Sequence, residues 1–152
     1  MHSITQEMLD AALAYLKANF GRALAVEFFP DDVFRYHLNH PAGAVLLAFS
    51  GSRFGASQAL GRIVQPREIT IAVTLITKRL NGAQGAVPHL DALRSCLVGF
   101  VPPHCQMGLI AVSESFLGQS GNGLWHYRQE YATQSVQVQI LSDDGDFQGE
   151  QG

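Results

Sequence analysis

Ser57 stands in Gly55, Ala56, Ser57, Gln58, Ala59, a stretch that would be a hydrolase nucleophile elbow if its last position were glycine. An elbow holds its serine strained and exposed, with a strand ending directly before it and a helix starting directly after it. Here the preceding apolar run ends several residues early and Pro66 cuts off any long helix, so Ser57 reads as a loop serine. Zinc prefers thiolate and imidazole ligands, and Cys96, His104 and Cys105, with His89, are the grouping that offers both. The spacing argues against a metal. Adjacent His104 and Cys105 do not form the usual short chelating pair, and Cys96 falls beside the apolar stripe of a helix, where a thiol packs as a small hydrophobe.

The glycines between Gly118 and Gly123 suit a phosphate cradle only if a helix N-terminus follows, and the next segment alternates like a strand. A hairpin turn is the better reading. His2, His37, His40 and His126 are scattered, with no Asp or Ser at a recognisable spacing, so no Ser, His and Asp set can be nominated. Trp125, Tyr127 and Tyr131 could stack bases, but base stacking goes with interleaved Arg or Lys, and only Arg128 is near. They read as core aromatics. No catalytic, cofactor-binding or metal-binding residue is assigned.

These residues sit on elements that the apolar periodicity marks out. Ile4, Met8, Leu9, Ala12, Leu13, Leu16 and Phe20 recur at three- and four-residue steps, which predicts a helix over 4–20. Ser3 or Thr5 would cap it, and Gly21 would end it in a left-handed conformation. Strands are predicted over 24–29 and 44–49, the second buried on both faces, with turns at 30–32 and 39–43. The Gly-, Ser- and Gln-rich stretch 50–66 shows no period and reads as a long loop. Ile69, Ile71, Val73 and Leu75 alternate with Glu68, Thr70 and Thr74, with Lys78 further on, which predicts a long half-buried strand over about 68–80. Leu90, Leu93 and Leu97 predict a second helix over 86–98, with Pro88 in its first turn and Gly99 past its end. A strand over 107–112 follows. Beyond the turn, Trp125, Tyr127, Gln129 and Tyr131 are odd whereas Val136, Val138 and Ile140 are even, so the apolar face changes parity near 133–135 and a bulge between two strand segments is expected there.

Length and composition bound the rest. A chain of 152 residues with 47% apolar content is expected to form a single soluble α+β domain over 1–141, a mostly antiparallel sheet with two main helices packed on it. The formal charge of −3 offers no basic field for specific binding to nucleic acid. Asp143, Asp144, Asp146 and Glu150 all lie in the last ten residues, so 142–152 reads as a flexible acidic tail on a nearly neutral body. Two cysteines are too few for a disulfide framework and point to a reducing compartment. No export signal is visible, and apolar runs such as Ala44 to Phe49 are far shorter than the roughly 20 residues that span a bilayer, so no membrane partner is expected.

Read in order, Pro41 to Leu47, the loop Ser50 to Arg53, the triplet Gln65, Pro66, Arg67 with the strand after it, then Leu90 to Arg94, Leu97, Gly99, Phe100, Pro102, Trp125 and Tyr127 form a pattern. It resembles the small proteins of Mu-like prophage tail clusters and, more distantly, phage tail-terminator proteins, over roughly Leu24 to Tyr131. The resemblance implies a cofactor-free structural subunit in the tail or neck of a virion, assembled in the host bacterial cytoplasm. It implies a homo-oligomeric ring, usually a hexamer, that caps the tail tube, stops its polymerisation and joins it to the head–tail connector. A ring needs strand edges or loops for its neighbours. The candidate surfaces are the loop Ser50 to Pro66 and the connection Leu80 to Gly85, with Arg53, Arg62, Arg67 and Arg79 as candidate assembly contacts, since charged rims fix register and steer partners. The rival readings are a small hydrolase-like or other enzyme using Ser57 or the Cys96, His104 and Cys105 group, and a monomeric binding module or toxin–antitoxin-like regulator.

Overall fold

The computed structural model describes residues 2–31, 38 and 40–141. The predicted three- and four-residue periodicity of the first segment gives α1 (Ile4–Phe20), with Met8, Leu9, Ala12 and Leu16 buried along one stripe. Ser3 is the N-cap, its hydroxyl accepting from the Gln6 amide at 3.1 Å, and Glu7 and Lys17 sit at the ends of the helix whose dipole they complement. Gly21 differs from expectation. It stays right-handed at φ −59°, its N–H donating to the Lys17 carbonyl, and the chain winds on until the Leu24 amide reaches the Phe20 carbonyl.

Five strands follow in a single sheet of order β1-β2-β3-β5-β4, with α2 (Ala86–Leu97) between β3 and β4 in the chain. β1 (Ala25–Phe28) runs parallel to β2 (Gly43–Phe54); β3 (Val64–Thr77), β4 (Ile110–Gln119) and β5 (Trp125–Val138) complete the sheet with antiparallel pairings. The architecture is the α+β fold expected, with both helices on one face. Met8, Leu16, Leu90, Leu93 and Leu97 of the helices meet Val45, Leu47, Ile69, Ile71, Val73, Leu75 and Tyr131 of the sheet in one core. Each fully buried Leu or Val there contributes about 1.5–3 kcal/mol relative to exposure.

β3 is the central strand, and more of it is buried than a half-buried pattern implies. Its odd positions face the helices, while Ala72, Thr74 and Ile76 on the opposite face are also buried, Ile76 in a small second cluster with Ala44 and Leu46. The strand starts earlier than predicted, at Val64, and ends at Thr77.

The predicted long loop over 50–66 is mostly strand. β2 runs on to Phe54 and β3 begins at Val64, so the connection shrinks to 55–63. A bulge between Phe49 and Gly51 shifts the register there and breaks the alternation that would have marked the strand. The bulge expected near 133–135 is absent, because the β3–β5 register runs unbroken from Thr77↔Trp125 to Val64↔Val138. Thr133 and Ser135 keep facing inward although polar, since their hydroxyls donate to the Met107 carbonyl at 2.7 Å and the His104 carbonyl at 2.6 Å. The strand predicted over 107–112 begins three residues later, and bulges lie instead at 111/113 and 116/118 of β4. The turn expected over 30–32 and the one over 39–43 fall partly, and the acidic tail wholly, outside the described residues.

Candidate assembly surfaces

The four nominated arginines do not form one patch. β3 spans 14 residues, about 45 Å at the usual rise per residue, and the two candidate surfaces lie at its opposite ends. Arg53 and Arg62 belong to the β2–β3 hairpin that begins β3, whereas Arg79 follows its far end. Arg53, Arg62 and Arg79 are exposed. Arg67 is tied down: its guanidinium donates to the Ser52 hydroxyl at 3.0 Å and the Thr5 hydroxyl at 2.9 Å, and it lies about 6 Å from the ring centres of Phe49 and Phe54. It joins the start of α1 to the hairpin.

That hairpin is an arm. No described apolar side chain is buried between Ile69 and the tip on β3, or beyond Leu47 on β2. What the arm carries is exposed apolar surface, from Phe54, Leu60 and Ile63, next to Val138, Ile140 and Leu141 where β5 runs out. The Gln139 amide donates to the Ile63 carbonyl and fixes the end of β5 to the arm. Sequence reasoning identified the segment but did not nominate these apolar residues as contacts: Phe54, Leu60 and Ile63 fall at no regular spacing, and Val138 and Ile140 read as one face of a strand. At the sheet's edge β4 is exposed along nearly its whole length, with Ile110, Val112, Phe116 and Leu117 all about half exposed. Phe116 stacks on Trp125 with ring centres 6.0 Å apart and tilts against Tyr127 at 5.1 Å. Of the three aromatics read as core, only Tyr131 is fully buried. Trp125 and Tyr127 are half-buried beneath Phe116.

The residues weighed for chemistry are engaged structurally. The Ser57 hydroxyl accepts from the Val64 amide at 3.0 Å and closes the arm's loop, with no helix after it. His104 pairs with Glu7 at 2.8 Å, and Glu7 also meets His2 at 2.9 Å. His89 bonds the Gly85 carbonyl one turn back. Cys105 lies 3.8 Å from the Met8 sulfur, and burial pushes both the Cys105 and Cys96 thiols up, away from the reactive thiolate. Among the described residues no group of three or more His, Cys, Asp or Glu is placed to hold a metal ion. The glycine-rich stretch is a hairpin turn between β4 and β5, closed by the Ser120 amide on the Leu124 carbonyl. No helix among the described residues is long and apolar enough to cross a membrane.

One polar network stood out in neither spacing nor composition. Buried Gln129 donates to the Leu90 carbonyl at 3.0 Å and to Glu114 at 2.7 Å, and accepts from the Tyr131 hydroxyl at 2.7 Å. Glu114 in turn pairs with Arg94, which also holds Asp91. The network ties the exposed edge strand β4 to α2 and β5, so the edge has a fixed shape.

A family model described as Gp37 protein matches residues 13–147. No curated protein matches the chain. Among solved structures, a chain from the "Virion of native gene transfer agent (GTA) particle" is similar at a TM-score of 0.47 and 16% identity, with 89% of this chain and 92% of that chain covered.

Proposed function

The chain belongs to the Gp37 protein family, and from that premise we propose that it is a structural protein of a phage-type virion that acts by assembly. In the finer reading it is a tail terminator. Copies form a ring on the last ring of the tail tube, stop its growth, and offer the opposite face to the head–tail connector. The observation that carries this reading is the arm, where Phe54, Leu60, Ile63, Ile140 and Leu141 stand exposed beyond the reach of the helix layer. Large apolar side chains left exposed together at one end of the sheet suit a contact site. The exposed β4 edge offers a second surface, where the sheet ends and no further strand pairs among the described residues. Arg53 and Arg62 flank the arm, where charge sets register more than affinity.

The test is assembly itself. The purified protein is mixed with the tail-tube subunit and the tubes are imaged by electron microscopy. The expected result is rings at tube ends and shortened tubes. A protein that stays monomeric and leaves tube length unchanged would refute the reading.

A further inference from the structure

The end of the sheet opposite the arm carries a concentration of positive charge. A concavity of about 580 Å³ is lined there by Arg22, His40, Lys78, Arg79 and Gln84, with no carboxylate in its wall among the described residues. Arg22, Lys78 and Arg79 are exposed, and none of them has an acidic partner among the described residues. The backbone at Arg79 is held by its carbonyl, which accepts from the Thr77 hydroxyl at 2.7 Å and the Ala86 amide at 3.0 Å. His40 accepts from the Ala42 amide at 3.1 Å on Nδ1, so its neutral ring presents Nε2–H as a donor. Cations gathered without a counter-charge repel one another, and an anion seated among them relieves that repulsion.

We propose that this cluster receives the acidic C-terminal segment, Asp143 to Asp146, of a second copy of the chain. Charge and reach both point there. The tail holds four acids and no base, and without it bases outnumber acids by one across the remaining chain. The cluster and the tail are therefore complementary in charge. They cannot meet within one chain. Gln139 is pinned beside Ile63 at the arm end, and Lys78 lies past the other end of the 14-residue β3, about 45 Å away by strand rise. At no more than about 3.6 Å per residue, Asp143 reaches roughly 14 Å from Gln139 and Asp146 roughly 25 Å. A neighbour's cluster is open to them. The contact joins one end of a subunit to the opposite end of the next, a heterologous contact that propagates and closes into a ring when its rotation allows. Duplex DNA is the competing occupant, but it needs a basic track repeated along the backbone, and here the cations sit in one place on a nearly neutral body.

This inference rests on the ring reading but fails separately from it. Sedimentation velocity of the full chain is expected to show an oligomer that dissociates as salt rises. Charge reversal of the tail (Asp143→Lys, Asp144→Lys, Asp146→Lys) should weaken association at least about tenfold, as should Lys78→Glu with Arg79→Glu, and combining both sets should recover most of the loss. A tail variant that associates like the wild type, or a combined variant that recovers nothing, overturns the proposal. If tubes are still capped in that case, the ring stands without the tail contact. A wild type that is monomeric and caps nothing removes both. Cross-linking is independent of any reversal that disturbs folding: a Gln84→Cys chain mixed with a Gly145→Cys chain should give the mixed dimer, and its absence in an assembled sample counts against the contact. A duplex oligonucleotide is titrated in parallel. Binding that requires Lys78 and Arg79 and ignores tail charge assigns the cluster to phosphate and overturns the proposal.

Discussion

The Gln129 network makes a sharp prediction, because its members are buried and each hydrogen bond has an identified partner. Gln129 is 1% exposed and Tyr131 fully buried. In Gln129→Leu the volume is nearly kept while the Tyr131 hydroxyl loses its acceptor and Glu114 loses a donor. The Leu90 carbonyl still has its place in the helix ladder. A buried polar group left unpaired costs about 1–3 kcal/mol, so the substitution should cost about 2–3 kcal/mol. Tyr131→Phe leaves the Gln129 side-chain oxygen without its donor and should cost about 1–2 kcal/mol by the same reasoning. Removing both partners leaves neither orphaned, so the double variant should be about 2 kcal/mol more stable than the summed single effects, as expected for groups in direct contact. Urea unfolding at a protein concentration low enough to suppress assembly measures all four corners of the cycle. In thermal scans the Gln129→Leu loss corresponds to roughly 4–12 °C for a chain of this length. If the effects add to within about 0.5 kcal/mol, the hydrogen bond between Gln129 and Tyr131 is not energetically coupled and the reasoning is wrong.

Burial without compensation holds His126 below its usual pKa. The unfolded chain therefore takes up a proton near pH 6.5 that the folded one resists; stability should be greatest above that pH and fall as pH drops toward the folded value, and His126→Gln should flatten the slope measured by urea unfolding. At alkaline pH the burial-raised Cys96, Cys105 and Tyr131 act the other way: their contribution is complete below the unfolded pKa values, about 8.5 for Cys and 10 for Tyr, and is lost above them, so stability should decline from about pH 8.5 upward. A Cβ on Gly43 would stand 2.3 Å from the Ile76 carbonyl oxygen, whereas one on Gly121 meets nothing within 4 Å; Gly43→Ala should cost about 2 kcal/mol or more and Gly121→Ala at most about 0.5 kcal/mol, measured as shifts in urea midpoint. Arg67→Ala should lose about 1–2 kcal/mol through its two hydroxyl partners, while Arg53→Glu with Arg62→Glu should leave the midpoint within about 0.5 kcal/mol and impair tube capping.

Local repetition made much of the fold legible. Seven apolar positions fixed α1 and three leucines fixed α2, because a helix repeats its buried stripe within a few residues whatever packs against it. β3 announced itself by alternation. What stayed hidden depended on distant partners. Thr133 and Ser135 look outward-facing by type, and only the carbonyls of Met107 and His104 explain why they face the core. Gly51 to Phe54 look like loop because a single bulge shifts the phase. The same limit applied to the surface. The segments around Arg53, Arg62 and Arg79 were nominated from loop character, but that two of these residues lie at one end of the sheet and the third at the other depends on strand pairing.

Placing those ends apart changes what an assembly of this chain can be. Contacts between like ends are isologous and stop at a dimer, whereas a contact from the arm end to the basic end leaves one of each free and adds further copies. The arm end brings two kinds of surface, exposed apolar side chains and the root of the acidic segment, and the two respond oppositely to salt. Apolar burial persists or strengthens as salt rises, while attraction between exposed charges is screened within about 10 Å at 0.1 M. Salt therefore separates their roles. If the apolar arm supplies the affinity and the tail the register, assemblies at high salt should persist but lose uniform subunit number, and the charge-reversed tail should give the same mixture at low salt. If the tail supplies the affinity, as the salt-driven dissociation expected above requires, both conditions give monomers. Native mass spectrometry across a salt series, reading the distribution of subunit number rather than the fraction assembled, distinguishes these outcomes.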